Sequence, residues 1–149
     1  MIDQLFDSGF VPESGHEFVR VLIAEDFAAW RHFVLEKLQE NPHLRVVGVA
    51  TDGLAAVQKA EGLRPDLIVL AIGLPQLNGI EVAKQIRKCA PECKIIFLTL
   101  ETSADMVQLA LGLGAQGFVS KVSAESDLLA AVDAVTSGKK FVSQNLGER

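Results

Sequence analysis

The chain has 149 residues, of which 49% are hydrophobic, so it is long enough for one domain with a buried core but leaves little room for a second. A net charge of -5 without a basic cluster argues against nucleic-acid binding by this domain itself, and Cys89 and Cys93 have no further cysteine or histidine nearby to complete a zinc site. No apolar run approaches the roughly 20 residues of a membrane-spanning helix, and the N-terminus lacks the basic start of a signal peptide, so we expect a cytoplasmic protein with no membrane contact.

Residues 1–18 show neither helical nor strand periodicity, and we expect them to form an N-terminal leader. After this leader, short β-branched runs alternate with helical patterns. The strand candidates are residues 19–24, 45–50, 67–70, 94–98 and 117–120. Alternation of this kind predicts a parallel sheet, and runs that are apolar on both faces predict helices on both sides of it. The sequence therefore predicts an α/β three-layer sandwich.

The segments between the strands carry the spacing of amphipathic helices. In the first of them, Trp30, Val34 and Leu38 recur every four residues and are expected to face the core. Residues whose side chains can accept hydrogen bonds from free helix amides predict the starts of three later helices. These residues are Asn78, Thr102 and Ser123. Gly138 predicts the end of the last helix.

Polar side chains follow three of the predicted strands. Glu25 and Asp26 come after the first strand, Thr99 after the fourth and Lys121 after the fifth. The third strand is followed by Ala71. Because ligand sites of open parallel sheets lie at the carboxyl ends of the strands, we expect all five residues to surround one pocket.

The residue types at this pocket indicate phosphoryl-transfer chemistry. The carboxylates of Glu25 and Asp26 and a backbone carbonyl, expected to be that of Gly73, are the oxygen ligands that Mg²⁺ prefers. An aspartate after the third strand would act as the nucleophile, and Lys121 would pair with the phosphate. Ala71 has no oxygen, so we expect no phosphoryl transfer at this position and weak or absent Mg²⁺ binding. Lys121 is then expected to lean toward one of the two acidic residues.

The segment from Pro65 to Pro75, followed by residues 78–81, resembles the middle of a response-regulator receiver domain. In that family the position of Ala71 is an aspartate. Residues 46–53, 115–121 and 138–143, with Val122 in place of a proline, are similar to the NarL/LuxR-type subgroup. The resemblance extends over roughly residues 19–143. It implies a flavodoxin-like (βα)5 fold whose five-stranded parallel sheet has the order 2-1-3-4-5, with a receiver domain at residues 19–137.

The resemblance also implies functional roles and partners. Thr99 would donate a hydrogen bond to the phosphate, and this movement would be coupled to an inward turn of Phe118. The upstream partner would be a sensor histidine kinase, the output would be a homodimer, and the domain would not be an enzyme. Residues 138–149 would begin a linker to an effector absent from this sequence, and DNA would be bound by a C-terminal helix-turn-helix if the full-length protein has one.

Two other functions are open on sequence grounds. An aspartate-nucleophile phosphatase needs a second aspartate two residues after the first, whereas Asp26 is followed by Phe27 and Ala28. A flavodoxin-like FMN carrier needs a hydroxyl-rich phosphate loop after the first strand, and the chain has no tyrosine to cover a flavin. The origin of Ala71 is also open, since a naturally degenerate receiver and an engineered block of phosphorylation would both produce it.

Overall fold

The computed structural model describes residues 18–100 and 103–144, and their centre is a parallel sheet of six strands. The strands are β1 (Val19–Ala24), β2 (Leu44–Ala50), β3 (Leu67–Leu70), β4 (Lys94–Thr99), β5 (Gly117–Ser120) and β6 (Phe141–Val142). Their order is β2-β1-β3-β4-β5-β6, and every neighbouring pair is parallel. The predicted order of the first five strands is confirmed. The expected count of five is corrected to six.

Five helices cover the two faces of the sheet. They are α1 (Ala28–Gln39), α2 (Gly53–Leu63), α3 (Gly79–Cys89), α4 (Ala104–Gly112) and α5 (Ala124–Thr136), and a single 3-10 turn (Lys121–Ser123) precedes α5. Helices α1 and α5 pack on one face, and α2, α3 and α4 pack on the other. This arrangement confirms the flavodoxin-like three-layer sandwich.

Strand β3 shows how the sequence divides its apolar residues between two cores. Leu67 and Val69 point toward α1 and α5, while Ile68 and Leu70 point toward α2, α3 and α4. All four are at most 2% exposed. Each such side chain contributes about 1.5–3 kcal/mol to folding when it leaves water. A strand buried on both faces therefore needs the uninterrupted apolar run that the sequence contains.

Side-chain caps fix the starts of α3 and α4, the helices that follow the loops after β3 and β4. The Asn78 side chain accepts a hydrogen bond from the Glu81 amide at 3.0 Å, as predicted for α3. Helix α4 is capped by Ser103, which accepts from Met106 at 3.1 Å. The predicted cap at Thr102 lies outside the described residues.

The last helix differs from expectation at its start and agrees with it at its end. Ser123 occupies the N-cap position of α5, but its hydroxyl makes no capping bond to the backbone and instead donates to Asp127 at 2.7 Å. The helix ends at Thr136, and Gly138 follows with a φ of +86°, a conformation that glycine adopts without strain. The reversal brings the chain back beside β5.

The unpredicted strand β6 is formed after this reversal. Phe141 pairs with Gly117 and Val142 with Phe118, and the Ser143 amide donates to the Phe118 carbonyl at 3.0 Å. Part of the segment expected to start a linker, residues 138–149, thus packs against the sheet. Among the residues described, no helix is long and apolar enough to cross a membrane.

Candidate functional site

The loop after β1 carries the acidic pair in two different environments. Glu25 is 3% exposed, whereas Asp26 faces solvent. One Glu25 oxygen accepts a hydrogen bond from the Phe27 amide at 3.1 Å. Arg31, one turn into α1, donates to the carbonyls of Glu25 at 3.2 Å and of Asp26 at 2.9 Å. These bonds hold the loop at the carboxyl end of the sheet.

Ala71 lies beside this loop at the end of β3. Its amide donates to the Ala24 carbonyl at 3.0 Å, which extends the pairing of β1 with β3 by one residue, and the alanine is 5% exposed. The next loop is held close by the Gly79 amide, which donates to the Ile72 carbonyl at 2.7 Å. A Cβ at Gly79 would lie 2.2 Å from the Ala71 carbonyl oxygen, so this approach requires glycine.

Lys121 reaches the acidic loop from the opposite side of the pocket. Its Nζ lies 2.9 Å from Oε1 of Glu25, and the two side chains are 10% and 3% exposed. The same Nζ lies 4.9 Å from the ring centroid of Trp30. The ammonium is thus held between a carboxylate and an aromatic face, a favourable position for a cation. Of the two acidic residues, Glu25 is the one paired with the lysine.

Trp30 is a site residue that sequence reasoning missed. Its spacing with Val34 and Leu38 marks a core stripe, and it does pack partly against that core, with its ring at 82° to that of Phe33. Its contact with Lys121 depends on the path of the chain through β5. The only sequence signal is that Trp30 lies one helical turn beyond the acidic pair.

Thr99 and Phe118 take different positions. Thr99, at the end of β4, is 6% exposed and lines the pocket. Phe118 is fully buried in the core beneath α2, α3 and α4, with its ring centroid 5.9 Å from that of Phe97. The structure therefore brings Thr99 to the pocket and places Phe118 behind it.

The pocket has a volume of about 350 Å³ and lies at the carboxyl ends of β1, β3, β4 and β5. Its lining consists of Glu25, Asp26, Phe27, Trp30, Ala71, Ile72, Gly73, Leu98, Thr99, Leu100 and Lys121. Every predicted site residue except Phe118 is in this set. The described part of the chain has no cluster of three or more acidic, histidine or cysteine side chains that could hold a metal ion. A cation here would depend on two carboxylates and a backbone carbonyl.

The two cysteines lie away from this pocket. Cys89 ends α3, and both thiols are free. Burial raises the pKa of Cys93 to about 12, with the Arg87 guanidinium acting in the opposite direction. The Cys93 thiol therefore stays protonated at neutral pH, which makes it a poor nucleophile and metal ligand.

Comparison with known sequences agrees with this architecture. The chain matches the response regulator receiver domain family over residues 21–133. It is 36% identical to the transcriptional regulatory protein PdtaR of Mycobacterium tuberculosis over 131 residues, which are 87% of this chain and 62% of that protein. It is 42% identical to a protein-glutamate methylesterase/protein-glutamine glutaminase of Thermotoga maritima over 104 residues, 69% of this chain and 30% of that protein. The chain thus spans less than two thirds of the length of these relatives.

Solved structures show the same fold. A two-component response regulator of the LuxR family from Aurantimonas sp. superposes with a TM-score of 0.83 at 26% identity, covering 87% of this chain and 92% of that one. RcsB dimers bound to two parallel DNAs contain a chain with a TM-score of 0.80 at 26% identity, covering 87% of this chain and 66% of that one.

Proposed function

Because the chain belongs to the response regulator receiver domain family, we propose that it is the signal-receiving module of a two-component transcriptional regulator that cannot be phosphorylated at Ala71. The observation that carries this proposal is the 350 Å³ pocket in which Glu25, Asp26, Thr99 and Lys121 surround an alanine. The family match favours this function over the phosphatase and the FMN carrier.

The proposed block follows from the chemistry of the side chain at position 71. In a receiver domain the phosphoryl group is carried by an aspartate, whose oxygen attacks phosphorus. The methyl group of Ala71 supplies no lone pair. Lys121 pairs instead with Glu25, at 2.9 Å, so the buried charges of the pocket balance without a phosphoryl group. We propose that this paired arrangement is the resting state of the site.

Receiver domains bind Mg²⁺ at an acidic pocket, and the ion neutralises charge on the incoming phosphoryl group. In this chain Glu25, Asp26 and the Gly73 carbonyl would hold it, and all three supply the oxygen atoms that Mg²⁺ prefers. Two features weaken the fit. Ala71 offers no oxygen, and the Glu25 carboxylate already contacts the ammonium of Lys121. We therefore propose that Mg²⁺ binds weakly or not at all.

We further propose that Thr99 and Phe118 form the switch that would read a phosphoryl group. Thr99 lines the pocket and would donate a hydrogen bond to a phosphate oxygen. Phe118 lies two residues before Ser120 in β5, with its ring fully buried. Because the Phe118 ring is already buried and Ala71 cannot carry a phosphoryl group, a partner protein rather than phosphorylation would set the conformation of the surface formed by α4, β5 and α5.

The remaining proposals concern partners and context. We propose a sensor histidine kinase upstream, a homodimer as the output, a cytoplasmic location, and no membrane contact or enzymatic activity for this domain. The methylesterase relative is matched over only 30% of its length, so that activity does not transfer to this chain. DNA would be bound by a C-terminal helix-turn-helix if the full-length protein has one. Residues 19–137 would form the receiver, and residues 138–149, which include strand β6 of its sheet, would lead onward.

Restoring the nucleophile tests the proposed function. Ala71→Asp places a carboxylate beside the open pocket, and we expect it to become labelled by radioactive acetyl phosphate in the presence of Mg²⁺. The unaltered chain and Ala71→Asn, which has the shape of aspartate but a neutral amide in place of the nucleophilic carboxylate, should remain unlabelled. Circular dichroism establishes that each variant is folded. A folded Ala71→Asp protein that takes up no label would contradict the proposal.

A further inference from the structure

A partly buried network of hydroxyls and one carboxylate joins the C-terminal segment to the turn of Lys121. Asp127, in the first turn of α5, accepts hydrogen bonds at Oδ2 from the hydroxyls of Ser123 and Ser143, both at 2.7 Å. Ser143 follows β6 and is 1% exposed. Ser123 ends the 3-10 turn that begins with Lys121. A single carboxylate oxygen therefore holds both segments.

Ser143 is also bonded to the backbone of β5. Its hydroxyl accepts a hydrogen bond from the Ser120 amide at 3.0 Å, and its own amide donates to the Phe118 carbonyl at 3.0 Å. The Ser120 hydroxyl in turn accepts from the Val122 amide at 3.1 Å. Lys121 lies between these two held amides. Displacement of Ser143 would consequently remove hydrogen bonds that restrain the backbone on either side of Lys121 and so fix the direction of its side chain.

The far end of Lys121 lies in the pocket. Its ammonium contacts Glu25 and the ring of Trp30, so a change in the direction of the turn would move a charge relative to the indole. The Asp127 carboxylate is well suited to hold the turn. Its negative charge lies in the first turn of α5, where the helix dipole favours an anion, and hydroxyl donors to a carboxylate make strong hydrogen bonds.

We propose that Asp127 is a positioning residue for Lys121, and that through Ser143 it fastens residues 138–144 to the same turn. The pocket and the C-terminal segment then change conformation together. Because such coupling is reciprocal, a change in the position of the chain after residue 144 would also alter the position of Lys121. This coupling rests on the hydrogen bonds alone and does not require the proposed role of Ala71.

Amide hydrogen exchange on the ¹⁵N-labelled full chain tests the coupling. In Ser143→Ala, exchange should become about tenfold faster or more at the Phe141 amide, which lies in β6. The same acceleration should appear at the Val122 amide, which lies in the turn of Lys121 and makes no direct bond to Ser143. The emission of Trp30, the single tryptophan of the sequence, should change as well. Ser126→Ala is the matched control. Its exposed hydroxyl contacts the Ser123 carbonyl at 3.2 Å and the other Asp127 oxygen at 3.4 Å but takes no part in the bonds to Asp127 Oδ2, so it should alter neither signal.

These measurements distinguish coupling between β6 and the turn of Lys121 from a purely local role of Ser143 in β6. Faster exchange confined to β6, with Val122 and Trp30 unchanged, would overturn the proposal, as would equal effects from the Ser126 control. Asp127→Asn should reproduce the pattern of Ser143→Ala, and the double variant should show less than the sum of the two effects because both act through one oxygen. Additive effects would contradict a shared fastening. If Ser143→Ala does not fold, Asp127→Asn carries the same exchange test.

Discussion

Replacement of Lys121 by methionine should destabilise the folded domain far more than the same replacement at Lys84. Both lysines form ion pairs of similar length, 2.9 Å for Lys121 with Glu25 and 3.3 Å for Lys84 with Glu81. The pairs differ in exposure. The first pair is 10% and 3% exposed, and the second is 48% and 46% exposed.

The magnitude follows from this difference in burial. At 2.9 Å and an effective dielectric constant of about 20, the direct attraction between Lys121 and Glu25 is about 6 kcal/mol, part of which offsets the cost of removing both charges from water. Without the lysine, Glu25 retains its desolvation cost and loses its partner, which typically costs about 3–5 kcal/mol in buried pairs. Water entering the adjacent pocket relieves part of this cost, so we expect a loss of about 3 kcal/mol. For Lys84 we expect less than about 1 kcal/mol.

Urea unfolding followed by far-UV circular dichroism measures both losses. Tryptophan fluorescence is unsuitable, because removal of the ammonium 4.9 Å from the Trp30 ring would itself change the signal. A second variant, Lys121→Met with Glu25→Gln, should recover most of the stability because no buried charge is left unpaired. If Lys121→Met lowers the free energy of unfolding no more than Lys84→Met does, the argument that the Lys121–Glu25 pair is desolvated is refuted.

Three further predictions concern the stability of the folded domain. Gly79→Ala should lower the free energy of unfolding by about 3 kcal/mol or more, since its Cβ would lie 2.2 Å from a backbone oxygen. Gly62→Ala, whose Cβ would have nothing within 4 Å, should stabilise α2 by about 0.5–1 kcal/mol. Equal shifts of the melting temperature in the two variants would contradict this. Asn78→Ala should lower the free energy of unfolding in urea by about 0.5–2 kcal/mol through loss of the α3 cap, and an unchanged midpoint would disprove that role. Burial raises the pKa of Cys93 from 9.0 to about 12, so the unfolded chain loses the thiol proton at a lower pH than the folded chain does. The free energy of unfolding should therefore fall as pH rises above about 9. A Cys93→Ala variant whose stability falls equally steeply with pH would rule this out.

The sheet and its order could be predicted because each piece of evidence is local. The apolar run of β3 reflects burial on both faces, and Asn78 caps α3 through an amide three residues away. The convergence of Glu25, Thr99 and Lys121 required only the rule that parallel strands end at the same side of a sheet. These features depend on short segments and on one topological principle.

Other features depend on contacts between distant segments and were not predictable in the same way. Strand β6 has only two residues, too few for a periodic pattern, and it forms because Gly138 reverses the chain beside β5. The bond between Ser143 and Asp127 joins residues 16 positions apart, and neither residue type indicates the other as its partner. Trp30 has the spacing of a core residue, and its cation contact arises only when β5 brings Lys121 beside α1.

The short strand β6 also has a consequence for the behaviour of fragments. Its backbone bonds at Gln116 and Phe118 occupy groups that β5 would otherwise present to the surroundings as an open template for another chain. A fragment cut before residue 138 would expose this apolar strand and its unpaired carbonyls. Such a fragment should self-associate through strand addition, so the choice of the C-terminal boundary decides whether the isolated domain stays monodisperse in solution.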